Sequence, residues 1–204
     1  MNLQFSDFNA NQIYHLMTQT IIPRPIAWVL TDSDNENYNL APFSYFCAVS
    51  SAPPLLMFSV GKKPNGDSKD TVSNIIKQKY CVIHIASAQD ANLVTQTAAT
   101  LAHGESEVTA NNIALTDFAG FPLPRVQHCT IAYGCELFEI KELGEVPQTL
   151  VFVKVTQLYV DDKVIEADAK GRLKIHADLV NPLARLGAGE YSAITKPFTL
   201  IRPE

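Results

Sequence analysis

With 204 residues, 47% of them hydrophobic and 18% charged, the chain is long and apolar enough to bury a full core, and no Pro/Gly/Ser-rich linker divides it. It therefore reads as a single domain over residues 1–204, and its net charge of -5, with Lys and Arg scattered, argues against nucleic acid and acidic membranes as partners. The start of the chain carries neither a basic region nor an apolar run, and nowhere do roughly eighteen apolar residues follow one another, which predicts a cytoplasmic location and no membrane.

In chain order, Ser6 or Asn9 can open a short helix that ends near residue 19 and puts Ile13, Leu16 and Met17 on one face. Pro23-Arg24-Pro25 then forces an extended passage into a strand, Ile26 to Thr31. The polar turn Asp32 to Asn37 returns the chain in a second strand, read as continuous from Tyr38 to Val49. Leu55 to Val60 is a third strand, apolar on both faces. Asp70 is a natural N-cap for a helix from Thr71 to about Lys79, with Val72, Ile75 and Ile76 turned inward. Tyr80 to Ala86 forms a fourth strand, and Ser87 to Asp90 resembles a capping box for a helix through about Leu101. Residues 102–127 look irregular apart from a brief pairing at Ile113 to Thr116. Two long strands, His128 to Ile140 and Thr149 to Tyr159, flank a hairpin signal at Glu142-Leu143-Gly144-Glu145.

Strands of short sequence separation with a few inserted helices predict a mainly β fold, a closed or partly closed antiparallel barrel rather than a doubly wound sheet. No glycine-rich dinucleotide fingerprint, P-loop or nucleophile elbow is present. The cysteines at 47, 81, 129 and 135 form no Cys-x-x-Cys pair and read as buried free thiols. The five dispersed histidines give a metal site no support.

Asn39 to Thr71 concentrates the candidate chemistry. The start of the helix at Lys69-Asp70-Thr71 offers unpaired N–H groups, a hydroxyl and a cation to an anion, although the same residues also read as a plain capped helix and Asp70 would repel a phosphate. Pro42 cannot donate to a ladder, which marks an edge or bulge beside Ser44 and Tyr45 where a planar heterocycle could lie. Ser50 and Ser51 read first as turn hydroxyls bonding their own backbone. Arg24 and Arg185 are possible anion partners with surface or ion-pair roles as the alternative, and His103 is a lone loop histidine.

Several blocks occur in a fixed order: Pro23-Arg24-Pro25-Ile26-Ala27, Asn39-Leu40-Ala41-Pro42-Phe43-Ser44-Tyr45-Phe46, Ser50-Ser51-Ala52-Pro53-Pro54, Lys69-Asp70-Thr71, Glu142-Leu143-Gly144 and Pro182-Leu183-Ala184-Arg185-Leu186-Gly187. Together they resemble the flavin reductase-like family of FMN-binding split barrels, which includes flavoredoxin. The resemblance implies a Greek-key split β-barrel homodimer that holds FMN noncovalently. Position by position it implies that Asn39 and Ser44, Tyr45, Phe46 and Cys47 line the flavin and ribityl chain, that Ser50 and Ser51 contact the ring edge or ribityl hydroxyls, and that Lys69 and Thr71 take the phosphate. The same resemblance implies that the loop from Ala102 to Val108 and the segment Arg185 to Tyr191 approach the flavin from above. The function so implied is reduction of FMN by NADH or NADPH, with a flavin-binding electron carrier that serves a partner protein as the alternative.

Overall fold

The computed structural model describes residues 1–34, 37–101, 105–201 and 203. Helix α1 (Ala10–Thr20) opens at Asn9, whose side chain accepts from the Gln12 N–H while the Gln12 side chain accepts from the Asn9 N–H. A two-residue strand, β1 (Arg24–Pro25), leads into β2 (Ala27–Asp32). The second of these is buried on both faces, with Trp28 and Leu30 in one core and Ala27 and Val29 in another, which is why its sequence runs apolar without alternating.

Strand β3 (Tyr38–Phe43) returns antiparallel to β2, pairing Phe43 with Ala27. The single strand expected through Val49 does not form. The chain bends at Ser44 and Tyr45, and a separate strand, β4 (Phe46–Ser51), pairs instead with β5 (Pro54–Val60). Helix α2 (Asp70–Gln78) follows, then β6 (Tyr80–His84) and α3 (Ala91–Gln96), which stops five residues short of the expected Leu101. The segment read as irregular contains α4 (Glu107–Ala110) and the short pair β7 (Leu115–Thr116) and β8 (Arg125–Val126). The long hairpin is β9 (Ile131–Leu143) and β10 (Gln148–Val160). Beyond it come the paired β11 (Ile165–Ala167) and β12 (Leu173–Ile175), helix α5 (Ala177–Val180), and β13 (Ala184–Arg185) and β14 (Tyr191–Ser192), which join β1 in a small sheet.

The main sheet is antiparallel throughout, in the order β3-β2-β6-β9-β10-β5-β4. Its two edge strands are consecutive in the chain and separated only by the Ser44–Tyr45 bend, so the sheet must curl until its ends meet. No ladder joins β3 to β4 among the described residues, and the barrel is split there. The interior core holds Phe43, Phe58, Val60, Val151 and Val153, with Val72 and Ile75 entering from α2. Ile76, expected to turn inward, is 47% exposed. The second core lies on the other face of β2 and β6, where Trp28, Leu30 and Val82 meet Val94 of α3, Val108 of α4 and the segment around β7 and β8. Cys81, Cys129 and Cys135 are buried as expected, whereas Cys47 is exposed on the edge strand β4.

Buried polar groups in the second core are paired. Trp28 Nε1–H donates to Thr97 Oγ1 at 2.9 Å. The wholly buried His84 accepts from the Val126 N–H through Nε2 at 2.9 Å, which leaves Nδ1–H to donate to the Trp28 carbonyl at 3.0 Å. Burial lowers the His84 pKa to about 4 from 6.5, so its imidazole stays neutral near pH 7. Between these two values the unfolded chain binds the extra proton and the folded chain does not, so stability falls as pH drops from about 6.5 to about 4. The loss attributable to His84 should reach about 3 kcal/mol in urea titrations, and His84→Gln should remove that part of the slope.

Candidate functional site

The bend places two cavities side by side with Pro42, Phe43, Lys62 and Lys69 as their common wall. One, of about 340 Å³, lies between Asn39, the start of α2, residues 97–101 and Glu107. The other, of about 590 Å³, lies between the bend, Gln148 of β10 and the face of α1 that carries Ile13, Tyr14 and Met17.

The bend is held from beneath by Arg24. This arginine is 5% exposed, and its guanidinium donates to the carbonyls of Thr18, Ile21 and Leu186 and to Ser44 Oγ, the last at 3.3 Å. Neither the surface role nor the ion-pair role expected of it applies. Three backbone carbonyls satisfy the charge, and in doing so they fix the end of α1 and the chain after β13 to the bend. Ser59 N–H completes the anchorage by donating to the Tyr45 carbonyl at 2.9 Å. The Tyr45 phenol is raised above its ordinary pKa, first by burial and then by neighbouring Tyr14, so it remains a neutral donor.

At the start of α2 the expected cap is absent. Lys69 occupies the capping position without a side-chain bond, and Asp70 begins the helix with its carboxylate paired to Lys63 Nζ at 2.9 Å. The pairing neutralises the charge that would repel an anion. Lys62 is likewise engaged by Glu142 and Ser68, whereas Lys69 has no ion-pair partner among the described residues. Thr71 Oγ1 accepts from Asn39 Nδ2 at 2.9 Å, which leaves the threonine proton free to donate. The N–H groups of Asp70 and Thr71 lie in the first turn, beyond reach of any helical carbonyl. Together with the Lys69 ammonium they form a donor set suited to a phosphate.

Of the residues singled out in the sequence, Asn39, Ser44, Tyr45, Lys69 and Thr71 line this double cavity. Phe46 packs against the interior core, and Cys47, Ser50 and Ser51 lie on exposed β4, where Ser50 Oγ accepts from the Ala52 N–H at 3.2 Å. Arg185 sits over the Tyr191 ring at 4.5 Å and donates to the Ala188 carbonyl, in the small sheet rather than on the cavity wall. His103, with Ala102 and Gly104 of the loop expected above the ligand, lies outside the described residues, whereas Glu107 of the same loop lines the smaller cavity.

Among the wall residues not singled out by name in the sequence are Glu107, which lies within the expected 102–108 loop, and Tyr14. Buried Glu107 accepts the Leu40 N–H on Oε2 at 3.1 Å, and burial, with a smaller contribution from Asp70, raises its carboxyl above the usual range despite that bond. A sequence signal did exist for it, since Ser106 caps α4 and puts Glu107 in the first turn. Tyr14 is 54% exposed and holds its ring 6.3 Å from that of Tyr45.

Away from the cavity, Asp90, His128 and Cys129 bring three potential metal-ligand atoms within 4.8 Å of one another, a cluster that the dispersed histidines did not reveal. Its bonds are those of an ion pair: Asp90 accepts from His128 Nε2 at 2.9 Å and from the Ser87 N–H and hydroxyl, above a Cys129 thiol that burial keeps protonated. Burial opposes ionisation of Asp90, but the bonds from His128 and Ser87 outweigh it and lower its pKa. The bond to Asp90 raises the His128 pKa above 6.5.

The fold is a split β-barrel, and comparison with known proteins places the chain among the flavin reductase-like proteins. The model of the flavin reductase like domain matches residues 17–177, and the chain belongs to that family. It is similar to nitrilotriacetate monooxygenase component B from Bacillus cereus, at 31% identity and a TM-score of 0.89 over 98% of each chain. It is also similar to the 2-nitrobenzoate 2-nitroreductase NbaA of Pseudomonas fluorescens, at 28% identity and a TM-score of 0.87 over 100% of this chain and 96% of that one. A Shewanella frigidimarina protein described as a flavin reductase with a split-barrel domain shares the fold, with a TM-score of 0.83 at 20% identity over 99% of this chain and 100% of that one. Among the described residues no helix is long and apolar enough to cross a membrane.

Trp28, the sole tryptophan, lies 6.4 Å from the His128 ring and can report the ion pair. Imidazolium quenches indole emission, so fluorescence should rise as pH climbs through the raised His128 pKa, above 6.5. Asp90→Asn removes the partner and should shift that midpoint downward; a midpoint common to both proteins would separate His128 from the signal.

Proposed function

We propose that the protein binds FMN in the double cavity and reduces it with NADH or NADPH. The observation that carries this reading is the donor set at the start of α2, where the Thr71 hydroxyl, two first-turn N–H groups and the Lys69 ammonium converge on one compartment. Asn39 orients the Thr71 hydroxyl, and the Lys63–Asp70 pair keeps an adjacent carboxylate from opposing the phosphate. From that anchor the wall of Asn39, Pro42 and Phe43 leads to the Ser44–Tyr45 bend, with small side chains and an aromatic that suit a planar ring. When bound, FMN supplies an acceptor for a hydride, which carries two electrons and one proton away from the dihydronicotinamide and leaves it as the pyridinium. The residues of the chain bind, orient and desolvate, and no protein nucleophile is required.

Likeness to component B of a monooxygenase supports a chain that prepares reduced flavin for a partner protein. The homodimer is part of the same reading. Cys47, Val49, Ser50 and Ser51 lie exposed on an edge strand whose free backbone groups can pair with, or face, a second copy.

Purified protein should acquire a flavin absorbance spectrum with FMN, oxidise NADH or NADPH, and show twice the chain mass in sedimentation. Bound FMN without nicotinamide oxidation would indicate the electron carrier instead, and no affinity for FMN would exclude both. Thr71→Val should weaken FMN binding by about 1–2 kcal/mol, measured by quenching of flavin fluorescence, because a buried hydroxyl donor to a charged group is lost. An unchanged dissociation constant would move the phosphate elsewhere.

A further inference from the structure

Away from the cavity, three chemically different ligands meet where the start of α3 abuts the segment between β8 and β9. Asp90 immediately precedes α3, His128 and Cys129 lie just ahead of β9, and one ligand atom from each falls within 4.8 Å of the other two. Asp90 Oδ2 is held by the Ser87 N–H at 2.8 Å and the Ser87 hydroxyl at 3.0 Å, which leaves Oδ1 to face His128 Nε2 at 2.9 Å. Asp90 and Cys129 are buried, whereas the His128 side chain is 42% exposed and opens the cluster to solvent. Among the described residues the Cys129 thiol has no hydrogen-bond partner.

The spacing suits a tetrahedral ion. Zinc bonds of about 2.1 Å to nitrogen and oxygen and about 2.3 Å to sulfur, at the tetrahedral angle, set ligand atoms roughly 3.3–3.6 Å apart. That lies inside the 4.8 Å limit met by all three pairs, and it asks the Asp90–His128 distance to widen by only about 0.4 Å, which the exposed His128 ring can supply. A thiolate, an imidazole and a carboxylate together favour zinc over the hard cations magnesium and calcium. The ion takes the place of the proton on His128 Nε2 and of the thiol proton, while Ser87 keeps the Asp90 carboxylate oriented. Arg125, whose charge favours the Cys129 thiolate, has its guanidinium turned onto the Tyr159 ring, 3.5 Å from the centroid.

We propose that Asp90, His128 and Cys129 bind one Zn²⁺, with water in the fourth position at the exposed edge of His128. The ion replaces the Asp90–His128 hydrogen bond and fastens the start of α3 to the segment that leads into β9. This site is independent of the flavin reading, since none of the three residues lines the double cavity.

The test uses the full-length protein, kept reduced and freed of metal by dialysis against a chelator and then against buffer, and titrates it with Co²⁺ as a coloured stand-in for Zn²⁺. The expected result is a sulfur-to-cobalt charge-transfer band that saturates at one Co²⁺ per chain and is bleached by added Zn²⁺. The band should disappear in Cys129→Ser, and in His128→Gln the Co²⁺ affinity should fall by at least about tenfold. Cys47→Ser controls for the exposed thiol on β4 and should leave the band intact. Because His128 is open to solvent, His128→Gln still tests the site if Cys129→Ser fails to fold. The proposal is overturned by a wild-type protein that develops no thiolate band, by a band that survives Cys129→Ser or is lost with Cys47→Ser, or by equal Co²⁺ affinity in His128→Gln and wild type.

Discussion

Ser44 and Tyr45 carry the chain from one edge of a seven-stranded sheet to the other, and two residues span that distance only if the sheet has curled enough to bring its edges together. The barrel, the position of β4 and the two cavities all follow from this short connection. Bent backbone at the mouth of a barrel leaves polar groups that need partners. Arg24 and the Ser59 N–H meet the need from opposite sides, one through Ser44 Oγ and the other through the Tyr45 carbonyl. Because the same guanidinium also holds the carbonyls of Thr18, Ile21 and Leu186, the wall provided by α1, the floor provided by the bend and the chain after β13 are tied to one side chain. A ligand that contacts both Tyr14 and Tyr45 is held by elements joined through one buried side chain.

Burial on both faces of β2 gives the barrel a rigid spine. Its interior side meets α2, which presents the first-turn N–H groups and the Thr71 hydroxyl, and its outer side meets α3 and α4, which bring the 97–101 segment and Glu107 to the same cavity. The His84 and Trp28 bonds tie the outer layer to the sheet through groups that are neutral near neutral pH. The His84 link in this support titrates well to the acid side of physiological pH.

Features that were legible in the sequence are local ones. The Asn9 cap, the apolar run of β2, the hairpin of β9 and β10 and the helix start at Lys69-Asp70-Thr71 each announce themselves within a few residues. Pro42 marked an edge or bulge beside Ser44, but the change of partner strand there was hidden, because alternation reports which way side chains face and is silent about which strand they pair with. Arg24 was misread because backbone carbonyls, its main partners, have no signature in sequence. Glu107 escaped notice because the N–H it accepts belongs to Leu40, 67 residues earlier. The expected Asp70 cap failed for a related reason, since Lys63 across the preceding loop competes for the same carboxylate. The ordered blocks of the family carried what local reading could not, linking β3, the bend and α2 in one site.

The pairing of lysines around the cavity bears on how a ligand arrives. Three lysines line the double cavity, but Glu142 and Asp70 cancel two of them, and the whole chain has a net charge of -5. Beyond a Debye length of about 8 Å at physiological ionic strength, an incoming dianion therefore experiences almost no attraction. On the proposed function, affinity for the phosphate would develop on contact, from the helix N–H groups, one hydroxyl and one ammonium. Association with such a site would owe little to electrostatic steering.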